Sequence, residues 1–424
     1  MKQLAKNVIV RQLNKKVRKL LALHNITLIE VTGTVGKTST KVAIGKVLSS
    51  QRKVRYSEDS YNTDIGIPLS LFDSKAPAQL WNLNSWRKIF AQIDAQISNY
   101  PFDTVVLELA EDEPAMMARV QKILPPDITV ITEVTPAHME RMHDIKTLLH
   151  NAWKIAARGK YIFYNADSEG LRKKAYKTGT TGYGLAYGQV TFTNIRRNSQ
   201  GLLKAKLLLG KNSTEIQTKM CGQQNLHALL AAASVADHLG MSFTSIVNEL
   251  QTIMPVRGRM NLLPAIEGAR LIDDSYNSSP DAALAALQTL SEFKTRKIAV
   301  LGNMNELGQH SPTEHERVGK AASEVVDLLV VVGPHAEKYL APAAEQAGLA
   351  AENIKRFRTP YEAGHYIKSI LQKGDVVLVK GSQNGVYSEE VSRILLDPKL
   401  DPSENLVRQS KDWRRKKKKA FALH

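Results

Sequence analysis

The sequence predicts an α/β protein with two sheet-bearing units in tandem, and three observations predict it. Short apolar runs, the mark of buried strands, alternate with longer segments of helical period along most of the 424 residues. An apolar run at 26–31 passes through a glycine turn directly into a helix, which is the opening of a parallel βαβ unit. After Pro255-Val-Arg257-Gly258-Arg259-Met260, a segment with the composition of a linker, the alternation restarts as a second, independent series.

The first unit is arranged around residues 26–48, ITLIEVTGTVGKTSTKVAIGKVL. Residues 26–31 read as a strand, Thr32-Gly33-Thr34-Val35-Gly36 as a tight turn, and Lys37-Thr38-Ser39-Thr40 as the first turn of a helix. Backbone N–H groups and the helix dipole at such a junction point at an anion. Lys37 is placed for β- and γ-phosphates, and the Thr38 hydroxyl for Mg²⁺. Val31 stands where the general phosphate-loop pattern has its first glycine. Residues 104–109 form a strand ending on Glu108. An acid at a strand's C-terminal end beside a phosphate loop is placed to hold Mg²⁺ directly or through water; the bland alternative is a helix cap.

Other elements follow from pattern. Residues 2–23 set Leu4, Val8, Leu13, Val17 and Leu20 against Lys6, Arg11, Lys15 and Arg18. This is a basic amphipathic helix, packed on the first unit or lying on anionic lipid. Strands are expected at 128–134 and 161–167, the second with polar residues at its end, with a helix between them at 145–158. Residues 187–219 alternate between Asn/Gly/Ser turns and predict small antiparallel hairpins, followed by an Ala-rich helix at 226–239. Beyond the linker, strands are expected at 270–275, 297–302, 327–333 and 375–380. Helices are expected at 280–293, 312–324, 335–347, 360–372 and 385–396. The run 414–419, RRKKKK, reads as a disordered, solvated end that can also meet a polyanion or an acidic membrane.

Composition narrows the classes. A formal charge of +17 points to anionic partners, namely nucleotides, nucleic acid or an acidic membrane surface, with part of the excess at the two ends. The single cysteine, Cys221, excludes an internal disulfide and reads as a small buried hydrophobe. No run is apolar and long enough to span a bilayer and no signal peptide is visible, so a cytoplasmic protein is expected.

The stretch TGTVGKTST is similar to the nucleotide loop of the Mur ligase family, the ATP-dependent amide ligases of peptidoglycan precursor synthesis. The likeness continues to about residue 396 and follows the D-alanyl-D-alanine-adding members. Tyr61-Asn62-Thr63-Asp64-Ile65-Gly66-Ile67-Pro68 resembles N-[YF]-N-N-E-I-G-[VL]-P at Tyr61, Asn62, Ile65, Gly66 and Pro68. The segment 128–140 resembles I-T-N-x-x-x-[DA]-H-[LM]-[DE], with Glu133 in place of Asn and His138 at the histidine. Gly222-Gln223-Gln224-Asn225 resembles G-x-H-N, and 255–260 resembles P-x-x-G-R-M. The most specific matches are Ile272-Asp273-Asp274-Ser275-Tyr276-Asn277, Val300-Leu301-Gly302-Asn303-Met304-Asn305-Glu306-Leu307-Gly308 with His315 downstream, and Val379-Lys380-Gly381-Ser382.

The resemblance implies a central P-loop ATPase domain, mostly parallel sheet plus small antiparallel hairpins, followed by a Rossmann-like α/β C-terminal domain. Boundaries are expected at 1–25 for the basic helix, 26–256, 257–397, and 398–424 for a basic tail. It implies ATP contacts from Thr32, Gly33, Thr34, Val35, Gly36, Lys37, Thr38, Ser39, Asn225, Arg259, Asp274, Tyr276 and Asn277. It implies Mg²⁺ held at Thr38, Glu108 and His138, and a carbamylated lysine bridging metals, for which Lys154 is the candidate. Asn62, Asn303, Glu306, His315, Lys380 and Ser382 are implied at the other substrates.

The implied reaction joins D-alanyl-D-alanine or a similar amine to the peptidyl carboxylate of an anionic cell-wall precursor through an acyl phosphate. Alternatives are another carboxylate acceptor, poly-amino-acid or lipid-linked, and a P-loop ATPase acting on nucleic acid. The basic ends favour the last, and the Asp-Asp-Ser-Tyr-Asn and Leu-Val-Lys-Gly-Ser segments oppose it. The family's UDP-binding domain ahead of the phosphate loop has no counterpart in these residues. Peripheral contact with an anionic membrane, or a partner protein, is therefore expected to help hold the acceptor.

Overall fold

A computed structural model of the chain describes residues 2–58, 61–77, 79–110, 114–135, 145–175 and 179–421. Six strands form the first sheet: β1 (Thr27–Thr32), β2 (Val54–Arg55), β3 (Thr104–Glu108), β4 (Ile128–Ile131), β5 (Tyr161–Asn165) and β6 (Thr180–Tyr183). Their order is β2-β3-β1-β4-β5-β6 and every pairing is parallel. The central strand β1 is buried from Leu28 to Thr32, as its apolar run requires of a strand covered on both faces. Strand order reverses beside β1, and crevices at such switch points lie at the strands' C-terminal ends.

Helix Lys37–Ser49 covers one face of this sheet and packs against helix Leu226–His238. The second helix is mostly alanine there, so the two backbones approach closely. Strands β7 (Thr191–Arg197), β8 (Leu203–Leu209) and β9 (Asn212–Gln217) form the expected antiparallel sheet, and its apolar face joins the same core. The N-terminal helix Lys2–Leu23 packs on the first unit along part of its apolar face. Ile9, Leu13, Val17 and Leu20 are fully buried against Trp86, Ile93 and Ile97 of helix Leu83–Ser98, and Lys16 pairs with Asp94 at 2.6 Å. The stripe from Ile9 to Leu20 is used inside the protein, while Leu4 and Val8 are exposed. Among the described residues no helix is long and apolar enough to cross a membrane.

The second sheet comprises β10 (Asn261–Pro264), β11 (Arg270–Asp274), β12 (Lys297–Gly302), β13 (Leu328–Val332), β14 (Ile354–Phe357) and β15 (Val376–Lys380). The order is β10-β11-β15-β12-β13-β14, parallel throughout except for the edge strand β10. The last strand inserts between the second and third, which makes a switch point at β11/β15. Register places Asp274 beside Lys380 there.

The C-terminal run is the main correction to the sequence reading. It is an ordered helix, Lys411–Phe421, and Lys417 is fully buried. Its ammonium lies 3.2 Å from Glu389 Oε1 and 2.5 Å from Glu390 Oε1, and Phe421 meets the rings of Tyr361 and Tyr387. A buried acidic pair recruits one lysine of the run, while Arg414, Arg415, Lys416, Lys418 and Lys419 remain in solvent.

Candidate active site between the two sheets

The phosphate loop is shaped by its neighbours as much as by its own sequence. Gly33 has φ +128°, and a Cβ there would lie 2.2 Å from Thr132 Oγ1, so only glycine fits. Gly36, at φ +86°, turns the chain into helix Lys37–Ser49. The N–H groups of Thr34 and Val35 both donate to the carbonyl of Glu133, at 2.8 and 3.3 Å. The Thr34 hydroxyl donates to the same carbonyl at 3.1 Å and accepts from the Thr135 N–H at 2.8 Å. The loop is thereby pinned to the end of β4. Lys37 folds over it, its ammonium donating to the carbonyls of Gly33 and Thr34.

Behind the loop, Thr38 Oγ1 donates to Glu108 Oε2 at 3.0 Å, which brings together the two residues expected at the metal. Lys41, one helical turn on, lies 3.2 Å from the same oxygen. Both ends of this ion pair are buried, Lys41 to 2 % and Glu108 to 4 % exposure. Lys41 therefore supplies a fixed positive charge that offsets the desolvation of Glu108. Sequence reading passed it over, although helical spacing from Thr38 puts it on the sheet-facing side. The side chain of Glu133 has its own role: Oε2 accepts from Asn165 at 2.8 Å, and burial pushes its carboxyl upward against the pull of His227. Burial also disfavours the Asp167 carboxylate. His227 at 2.7 Å and the amides of Leu185 and Ala186 outweigh this and hold it well below the ordinary carboxylate range.

On the second sheet, Asp274 Oδ2 accepts from Lys380 at 2.6 Å, and Oδ1 from the N–H of Met260 at 3.1 Å. Lys380 also donates to the Asn277 carbonyl at 3.0 Å. Arg259 lies 4.3 Å from the Tyr276 ring, and its own carbonyl accepts from Asn225 at 3.3 Å, a bond that crosses between the two sheet units.

Two clefts open where these groups face each other. One, of about 190 Å³, is lined by Thr34, Val35, Gly36 and Ser39 on one side and by Asp274, Asn277, Glu306 and Lys380 on the other, with Asn225 between them. The second, of about 560 Å³, is lined by Thr38, Tyr276 and residues of the C-terminal segment. Arg259 lines both.

Other expected residues lie elsewhere. His138 is outside the described residues. Lys154 is exposed, whereas Leu148, Asn151, Ala152 and Ile155 carry the buried face of helix Ile145–Ala156. It lines neither cleft, so the structure does not bring it to the loop. His315 is fully buried: Nε2 accepts from the Met304 N–H at 3.0 Å, and Nδ1 donates to the Ser311 carbonyl at 2.7 Å. Burial depresses its pKa. It fixes the 303–308 loop from behind. Asn303 Oδ1 accepts from the N–H groups of His335 and Ala336, so it caps the next helical segment. Ser382 is buried between the Ser278 carbonyl and the Asn305 N–H. Thr32 is buried at the end of β1, and Asn62 is half-buried outside both clefts.

Comparison with known proteins matches this arrangement. Residues 87–236 match the Mur ligase middle domain, and residues 258–383 the Mur ligase glutamate ligase domain. The chain belongs to the Mur ligase family. The UDP-N-acetylmuramoyl-tripeptide–D-alanyl-D-alanine ligase of Mycobacterium leprae is 28% identical over 411 residues, covering 88% of this chain and 74% of the relative. The Escherichia coli ligase of the same name is 25% identical over 383 residues, covering 87% and 76%. The crystal structure of the MurF ligase from Thermotoga maritima in complex with ADP superposes with a TM-score of 0.76 at 26% identity, over 91% of this chain and 83% of that one. As a Mur ligase, the chain is an ATP-dependent ligase, and the two-sheet α/β architecture is that of the family.

Proposed function

We propose that this Mur ligase joins D-alanyl-D-alanine, or a similar amine, to the peptidyl carboxylate of a peptidoglycan precursor through an acyl phosphate. The observation that carries the proposal is the meeting of the phosphate loop with the Asp274–Lys380 pair across one narrow cleft. The named activity of the relatives supplies the substrate class. The working units are taken as 26–256 and 257–397.

A free carboxylate resists amide formation because oxide is too basic to leave. In the first step a carboxylate oxygen attacks the γ-phosphorus of ATP and the bond to the β,γ-bridging oxygen breaks, giving acyl phosphate and ADP. In the second, the amine nitrogen attacks the acyl carbon. The tetrahedral intermediate expels phosphate and the nitrogen loses a proton. Little covalent work falls to the protein; it positions and neutralises. The loop amides of Gly36 to Ser39 and the helix dipole face the phosphates. Lys37 exchanges its hold on the Gly33 and Thr34 carbonyls for the β,γ-phosphate oxygens. Arg259 and Lys380 bring positive charge from the second sheet.

Mg²⁺ would neutralise charge on the transferred phosphoryl. The residues present fit it: the Thr38 hydroxyl donates its proton to Glu108, which leaves its lone pairs for a hard cation. Lys41 already engages Glu108, so the carboxylate suits a water-mediated contact better than direct ligation. The test is stoichiometry. With UDP-N-acetylmuramoyl-tripeptide, D-alanyl-D-alanine and ATP, ADP release should match amide formed and need both co-substrates. ATP hydrolysis indifferent to both would refute the proposal.

A further inference from the structure

The larger cleft has a wall that neither matched domain provides. Residues 403–413, beyond the glutamate ligase domain match at 258–383, close it opposite Thr38. That wall is rigidly held. Arg408, at φ +54°, donates Nε and Nη2 to the two carboxylate oxygens of Glu389, both at 2.8 Å. Its Nη1 and Nη2 also reach the carbonyls of Tyr276 and Ser275 at 3.1 and 2.8 Å. Buried Lys417 locks the following helix to Glu389 and Glu390. The segment is thus fastened to the end of β11, the strand that carries Asp274.

What this wall turns toward the cleft has a definite chemistry. Gln409 is 4 % exposed and lines the cleft; its Nε2 donates to the Val407 carbonyl at 3.0 Å, while Oε1 has no partner. A buried amide oxygen without a donor costs free energy that a ligand N–H recovers. Trp413 and Tyr276 add flat aromatic surface. Opposite stand Arg257 and Arg259. Arg257 donates to the Ser403 carbonyl at 3.0 Å and is 3.8 Å from Glu58, and Arg259 has no acidic partner among the described residues. Two guanidinium groups, an unpaired amide acceptor and aromatic faces suit a peptide that carries carboxylates and N–H groups. The narrow cleft along Gly36 and Ser39, which Arg259 also lines, is left for the nucleotide under the reading above.

We infer that this cleft holds the acidic peptide arm of the acceptor, and that residues 403–413 are part of the acceptor site. Its carboxylate then approaches the phosphate loop from the Thr38 side while the nucleotide occupies the Gly36–Ser39 side. The inference rests on the acceptor reading above, and the test separates the two. Steady-state kinetics and calorimetry use UDP-N-acetylmuramoyl-tripeptide as probe, with full-length wild type, Gln409→Leu, Trp413→Ala and Arg257→Gln. Each variant should raise KM and Kd for the probe by about tenfold, the worth of one hydrogen bond to a charged or buried partner. KM for ATP and the melting temperature should stay near wild type, which shows that the variants are folded. Unchanged probe affinity in Gln409→Leu and Trp413→Ala, with wild type binding the probe, overturns the inference and spares the acceptor reading. A rise in KM for ATP alone also overturns it, by assigning the cleft to nucleotide. Wild type that neither binds nor ligates the probe refutes the acceptor reading and this inference with it.

Discussion

Glu30 lies in the middle of β1, three residues before the phosphate loop, and is 1 % exposed. Its Oε2 accepts from Gln121 at 2.6 Å, while Oε1 and the Gln121 oxygen have no partners. Burial pushes its carboxyl up to about 8, against the smaller pull of Gln121 and Arg158. Unfolded, the same group titrates near 4.5. Between these values the folded chain holds a proton that the unfolded chain has released. The contribution to stability is therefore greatest below 4.5, falls as pH rises toward 8, and is level beyond. At pH 7 the cost relative to acid is at most about 3 kcal/mol. Glu30→Gln keeps the shape, cannot ionise, and pairs both orphan oxygens, since the new amide N–H can donate to Gln121 while its oxygen accepts. Thermal unfolding followed by circular dichroism should show the variant melting higher at pH 7, by about 5–10 °C at about 2–4 °C per kcal/mol. The gain should shrink to about zero near pH 4. A gain that does not depend on pH, or a loss at pH 7, would refute the argument that folding at pH 7 must return a proton to Glu30.

Two further outcomes are expected. Lys37→Ala should lower kcat by about 10²–10³ or more; near-normal turnover in a variant that melts like wild type would remove the phosphate-loop role. Lys417→Met should remove the shared ammonium from Glu389 and Glu390, which keep Arg408 and Arg393, and so cost less than a fully broken buried pair, at about 3–5 kcal/mol; limited trypsin digestion should then cut at 414–419 faster than in wild type, and equal rates would contradict the docked helix.

The buried parallel strands were legible because both faces are covered, so their runs are apolar or nearly so: Val376–Val379 is continuously apolar, and Leu28–Val31 is broken only by Glu30. Edge strands were not. β14, Ile-Lys-Arg-Phe, is half polar and gains its place only by pairing with β13. The phosphate loop and Glu108 were readable because strand, turn and helix are contiguous and the acid lies at a strand end. Lys41 was readable from helical period and was overlooked. Lys154 could have been rejected on the same ground, since 148, 152 and 155 already define the inward face. The helix Lys2–Leu23 has one period whether its partner is lipid or protein, so sequence could not choose. The tail misled for a physical reason: a run of like charges is solvated unless something distant needs one of them. Glu389 and Glu390 announce no such need in their own neighbourhood.

On the proposed acyl phosphate route, two substrates must reach one phosphorus from different directions without water between them. The architecture answers with one shared edge rather than one shared pocket. Gly36 and Ser39 face the narrow cleft, and Thr38, between them in sequence, faces the wide one, because successive residues at a helix start point about 100° apart. Arg259 stands at the same partition from the opposite sheet, with its carbonyl tied to Asn225 and its guanidinium over Tyr276. Arg259 therefore borders both clefts, and on the proposed function it can serve negative charge in either without moving. The C-terminal segment then fits the same logic: fastened to Ser275 and Tyr276 through Arg408, it moves with the second sheet. Any approach of that sheet to the phosphate loop would narrow both clefts together.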